Sequence, residues 1–110
     1  MSLSNYILDE NNQPIQEPDI MKWGSWFKVS NDRRRVGKDE VDNKYRVSTV
    51  FLGLDHNFGD GGPPVLWETM IFPMDDWGDL YCDRYSSHEA AVEGHKKAVE
   101  LAKLGKFDEE

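Results

Sequence analysis

One cysteine, Cys82, is all that the chain has, so no disulfide can close within it. That usage suits a reducing compartment, and a cytoplasmic protein is the expectation. No apolar run approaches the ~20 residues that a membrane span requires, and no signal-peptide pattern opens the sequence. Membrane association is therefore not expected. Positive charge is scarce as well: 13 Lys and Arg stand against 21 Asp and Glu, a formal net charge of −8. General nucleic-acid and membrane-surface binders carry net positive charge to meet phosphates, so neither partner is expected. There is no Gly-x-Ser-x-Gly elbow for Ser-His-Asp chemistry and no Gly-Lys-Ser/Thr phosphate loop. Internal repeats and linkers are missing too.

What is present is enough for a core. A chain of 110 residues fits one domain, 1–110, and buries roughly two-thirds of its unfolded surface. Hydrophobic residues make up 38% and aromatics 12%, too much apolar mass for a disordered chain. Residues 1–5 and 106–110 are expected to be flexible tails.

The order of elements can be read from periodicity. Tyr6-Ile7-Leu8 followed by the turn residues Asp9 to Pro14 predicts an edge strand or hairpin arm. Asp19 suits a helix N-cap, and Ile20, Trp23 and Phe27 follow at helical spacing, predicting a short helix over 20–28. Trp23 and Phe27 should then pack against a sheet. Arg33-Arg34-Arg35-Val36 reads as an exposed strand and Gly37-Lys38-Asp39 as a turn. Tyr45 to Leu54 and Val65 to Phe72 alternate cleanly. Both strands look apolar on their two faces, which predicts central strands covered on both sides. Leu80 to Tyr85 is a further strand. Ser86 and Glu89 fit a capping box ahead of a helix over 87–104, whose inner face carries Ala91, Val92, His95, Ala98, Val99 and Ala102. Gly105 is its expected left-handed stop. The fold class is α+β: a mainly antiparallel sheet of three to five strands with one long C-terminal and one short N-terminal helix.

Several stretches carry a resemblance. They are Trp23 to Phe27, Val47 to His56, Phe58-Gly59, Gly62 to Phe72, Tyr85, Glu89-Ala90 and Gly94-His95. Over roughly residues 18–96 the chain resembles a family of short proteins from tailed bacteriophages and prophages. The resemblance implies an accessory protein of the host cytoplasm and names no activity. The Asp75-Asp76-Trp77 turn and the Arg33–Arg35 run depart from that family's pattern.

Polar residues suitable for chemistry gather in two places. Asp55-His56-Asn57 opens a segment that continues through Gly59, Asp60, Gly61, Gly62, Pro63 and Pro64, about ten residues between strands where hairpins use two to five. Such a shaped loop either bonds to its own backbone through Asp55 and Asn57, or holds a ligand or partner. It is not an EF-hand, because counting from Asp55 places Asp60 and Leu66 where Gly and Glu are required. Glu68 shares a strand face with Leu66, Met70 and Phe72, so either that face meets water or Glu68 has a partner: His56, His95 or an Arg. His88 and His95 are about 10.5 Å apart along a helix axis, far for two ligands of one ion. No metal and no cofactor is expected. His95 reads as a core-facing, bonded histidine and Cys82 as a small buried hydrophobe. Arg33, Arg34, Arg35, Lys38, Lys44 and Arg46 make a basic patch that strand alternation would split over both faces.

The functional expectation is a non-catalytic interaction protein with a protein partner. The alternative is a small enzyme or ligand- or metal-binding domain using Asp55, His56 and Glu68. If both helices covered one face, Trp67 and Ile71 would stay exposed, and a homodimer through sheet or edge contacts would follow.

Overall fold

A computed structural model describes residues 4–57, 61–76 and 78–105. Strands β1 (Tyr6–Leu8) and β2 (Pro14–Gln16) form a small hairpin. Helix α1 (Ile20–Val29) and the single turn α2 (Asn31–Arg34) follow. Four strands, β3 (Arg35–Val41), β4 (Tyr45–Phe51), β5 (Trp67–Pro73) and β6 (Tyr81–Tyr85), then form one antiparallel meander in the order β3-β4-β5-β6. Helix α3 (His88–Leu104) closes the chain and lies on one face of that sheet. The fold is α+β, as expected. Among the described residues no helix is long and apolar enough to cross a membrane.

Local chemistry explains the ends of the elements. The Asp19 carboxylate accepts from the backbone N–H groups of Met21 and Lys22 and starts α1. The cap of α3 is Ser87, not Ser86: its hydroxyl accepts from the Ala90 N–H at 3.0 Å. Gly105 ends α3 in the left-handed conformation, with φ 69°. The expected turn at Gly37-Lys38-Asp39 lies instead inside β3. The chain reverses at Asp42 and Asn43, whose φ values of 54° and 55° suit a tight hairpin turn, and both residue types tolerate that region. Arg33 and Arg34 belong to α2, and only Arg35 enters the strand. Ser4 and Asn5 are not a loose tail: Asn5 bridges Leu54, and the Ser4 carbonyl accepts from the Asp55 N–H.

The buried face of the sheet carries Val41, Val47, Thr49, Phe51, Trp67, Thr69 and Ile71, and α3 meets it with Ala91, His95, Ala98 and Ala102. Alanines at that spacing let the helix axis come close to the strands. One apolar cluster joins Leu8, Phe51, Leu66, Trp67 and Ala91, with Trp26, Tyr6 and Tyr85 against it. A second joins Val41, Val47, Ile71, Ala98 and Ala102. Helix α1 sits at the first cluster: Trp26 meets Phe51 edge-on at 6.0 Å, while Trp23 stacks on Phe27 and donates from Nε1 to the carbonyls of Tyr6 and Gly53.

The expectation that β4 and β5 are covered on both sides does not hold. Trp67 and Ile71 are fully buried under α3. The opposite face, with Arg46, Ser48, Val50, Glu68, Met70 and Phe72, is half-buried. Its apolar members are separated by polar and charged neighbours, so it tolerates water. Cys82 lies on the same side of β6 and is exposed, against the expectation of a buried thiol.

Candidate functional site: the open sheet face

Two polar assemblies lie on opposite sides of the sheet. The first is internal and separates the two apolar clusters. Thr49 and Thr69 are directly opposed in the β4–β5 register, with hydroxyl oxygens 2.5 Å apart. Thr49 Oγ1 is 2.7 Å from His95 Nδ1, and His95 Nε2 is 2.7 Å from an Asp39 carboxylate oxygen. With Nε2–H donating to Asp39, Nδ1 accepts from Thr49, and Thr49 in turn accepts from Thr69. Every hydroxyl hydrogen in that chain then has a destination. The imidazole reaches β3 because Gly37 has no side chain: a Cβ there would stand 2.6 Å from Nε2. A carboxylate, an imidazole and a hydroxyl in series resemble a nucleophile relay. However, Thr49 is 0% exposed, so no substrate reaches its hydroxyl. The assembly fixes strand register and helix position instead. A slip of one residue between β4 and β5 would part the two hydroxyls and turn one strand's buried side chains to the open face.

The second assembly is on the open face. Glu68 is paired with Arg84 across the β5–β6 register, Oε2 to Nε at 2.8 Å. The partner expected among His56, His95 or an Arg is therefore an Arg. This hydrogen bond and charge hold the Arg84 guanidinium above its ordinary value. The Cys82 thiol, 3.5 Å from Glu68 Oε2, is pushed up to about 11, first by the loss of water around it and next by the carboxylate. A thiol so shifted is a poor nucleophile at neutral pH.

Toward the β3 edge the same face turns basic. Arg35, Lys38, Arg46, Ser48, Val50 and Phe72 line a groove of about 230 Å³. Arg46 is held in place, with Nη2 donating to the carbonyls of Pro73 at 3.1 Å and Asp76 at 2.7 Å, and its guanidinium lies 5.1 Å from the Phe72 ring centre. Simple alternation would put Arg35 and Lys38 on opposite faces. The register shifts between Arg35 and Gly37, where an extra residue enters β3, and this irregularity brings both cations to the groove. The basic patch, expected to be split, is thus partly gathered.

The loop residues singled out from sequence stand apart from both assemblies. The Asp55 carboxylate accepts from the N–H groups of Asn57 and Val65 at 2.8 and 2.9 Å. His56 Nδ1 donates to the Leu54 carbonyl, and Asn57 donates to the Pro63 carbonyl. These bonds shape the loop itself. Gly61, Gly62, Pro63 and Pro64 complete its described part, while Gly59 and Asp60 lie outside the described residues, as does Trp77 of the Asp75-Asp76-Trp77 turn. Asp55, His56 and Asn57 are thus in the loop, Glu68 on the open face and His95 beneath the sheet. The bonds they make do not bring them to one place. Among the described residues no three His, Cys, Asp or Glu side chains are grouped to hold a metal ion.

Sequence reasoning missed Asp39, Thr49 and Thr69 as partners of His95, and Arg84 as the partner of Glu68. The strand alternation held the signal for the threonines. Nothing local signalled Asp39, which was assigned to a turn. Compared with protein-family models, with curated proteins and with solved structures, the chain shows no match to any of them.

Proposed function

We propose that this is a non-catalytic interaction protein, an accessory protein of the tailed-phage and prophage kind that its sequence resembles, working on a protein partner in the host cytoplasm. The observation that carries this reading is the open face of β3–β6, where the half-buried Val50, Met70 and Phe72 lie among a gathered set of cations. Covering such a face takes apolar area out of water and satisfies charge together, as the centre and rim of an interface do. Two of the polar groups that could have served chemistry are already engaged: the Asp55 carboxylate by its own loop and the Thr49 hydroxyl inside the core.

The homodimer through sheet or edge contacts needs an open sheet face; the open face carries Glu68, Met70 and Phe72, while Trp67 and Ile71 are buried. A two-fold contact centred on the groove would set Arg35, Lys38 and Arg46 against their own copies. A different protein is therefore the better occupant.

Photocrosslinking tests the reading. A benzoylphenylalanine at Ser48, on the open face, should give a protein adduct in cells that carry the gene. The same group at Lys97, exposed on α3, should give none. No adduct from position 48, or adducts only from position 97, would overturn it.

A further inference from the structure

We propose that the groove between β3 and β5 receives neighbouring carboxylates of an acidic protein segment, a specificity that rests on the interaction reading above. Arg35 and Lys38 are exposed, and among the described residues neither is within ion-pair distance of a carboxylate. Arg46 is oriented by its two carbonyl acceptors, so its charge is fixed at the groove rather than swung out into water. Ser48, opposite Lys38 in the register, adds a hydroxyl donor. Among the described strand residues, two carboxylates share this side of the sheet. Glu68 is held by Arg84, and Glu40 stands opposite Arg46. Arg46 has Glu40 opposite it and the Asp76 carbonyl beside it, so the positive charge of the groove rests on Arg35 and Lys38, on a chain whose total is −8.

The size and surroundings choose the ligand. A space of about 230 Å³ is below the range of small-molecule pockets, roughly 300–1,000 Å³, and suits one or two side chains. Arg presents a planar fork that matches a carboxylate, and Lys adds a point charge. Val50, half-buried in the lining, receives the methylene groups that carry the carboxylates. A nucleic-acid strand is the weaker fit. Its phosphates run past the groove toward a surface of net negative charge. The Phe72 ring, the aromatic lining the groove, already has Arg46 near its face, so it is a poor stacking platform for bases. The acidic segment needs the positive field only locally, where it exists.

Fluorescence anisotropy with labelled decaglutamate tests this, alongside labelled ten-residue oligothymidylate and a labelled Gly-Ser decapeptide. Decaglutamate should bind saturably and tighter than the other two, and rising salt should weaken it. Arg35→Glu with Lys38→Glu should weaken binding at least tenfold, and Arg35→Ala with Lys38→Ala should weaken it in the same direction. Lys96→Glu with Lys97→Glu, the same change of net charge on α3, should shift it less than twofold. Absence of saturable decaglutamate binding, tighter binding of the oligothymidylate, or equal loss in the α3 variant would each overturn the proposal. A Ser48 adduct obtained together with such a result would leave the interaction reading standing and remove only its acidic ligand.

Discussion

Gly94→Ala should destabilise this protein, although it replaces the second-worst helix former with the best in the middle of a long helix. On propensity alone the change is worth about 1 kcal/mol in favour of Ala. The tertiary contact opposes it. A Cβ at position 94 would stand 2.1 Å from Tyr85 Oη, 2.3 Å from Cζ and 2.5 Å from Cε1. Carbon atoms rest about 3.5–4.0 Å apart, so the ring must retreat by more than ~1 Å. Its backbone cannot follow easily, because Tyr85 is paired with Trp67 and its carbonyl accepts from the Leu66 N–H at 3.0 Å. Overpacking of this kind costs about 1–3 kcal/mol and more where several atoms collide. The net loss should be about 1–2 kcal/mol, read as a lower urea midpoint by tryptophan fluorescence and circular dichroism together. Repeating the substitution in a Tyr85→Ala background reverses its sign, since only the propensity gain remains, about 1 kcal/mol. A stabilising Gly94→Ala in the parent protein, or one sign in both backgrounds, would refute the reasoning.

Thr49→Val should cost about 2–3 kcal/mol in urea denaturation, because it strips His95 Nδ1 and the Thr69 hydroxyl of their shared partner inside the core; a loss below ~0.5 kcal/mol would show the series to be dispensable. Cys82, raised to about 11, should react with iodoacetamide at pH 7 on the order of a hundredfold more slowly than an ordinary thiol with a pKa of about 8.5. Its thiolate fraction, and so its rate, should climb through alkaline pH, and Glu68→Gln should lower the apparent pKa and speed the reaction at neutral pH. Light scattering should give the mass of a single chain, 12.7 kDa, at micromolar concentration, because the apolar strand face is under α3 and the open face is basic; a stable dimer would return the open face to self-association.

Short-range chemistry determined the pieces. Asp19 capped its helix, Gly105 ended the other, and β4 and β5 alternated as written, because caps and side-chain alternation depend on neighbours a few residues away. Which face of the sheet would be covered was not local. The two faces of β5 are both apolar in composition, and the alanine stripe of α3 chose the one carrying Trp67, Thr69 and Ile71. Partners far apart in the chain were equally out of reach of sequence. His95 meets Asp39 only because the β3–β4 turn falls at Asp42-Asn43 rather than at Gly37-Lys38-Asp39, and Glu68 meets Arg84 only through the β5–β6 register. The basic groove depends on the register shift near Arg35, a single extra residue whose place alternation cannot reveal. Sequence by itself therefore decided the fold class and the residues available for a site. Tertiary structure decided which of them share a surface, because sheet register and helix docking are settled by contacts summed over the whole core.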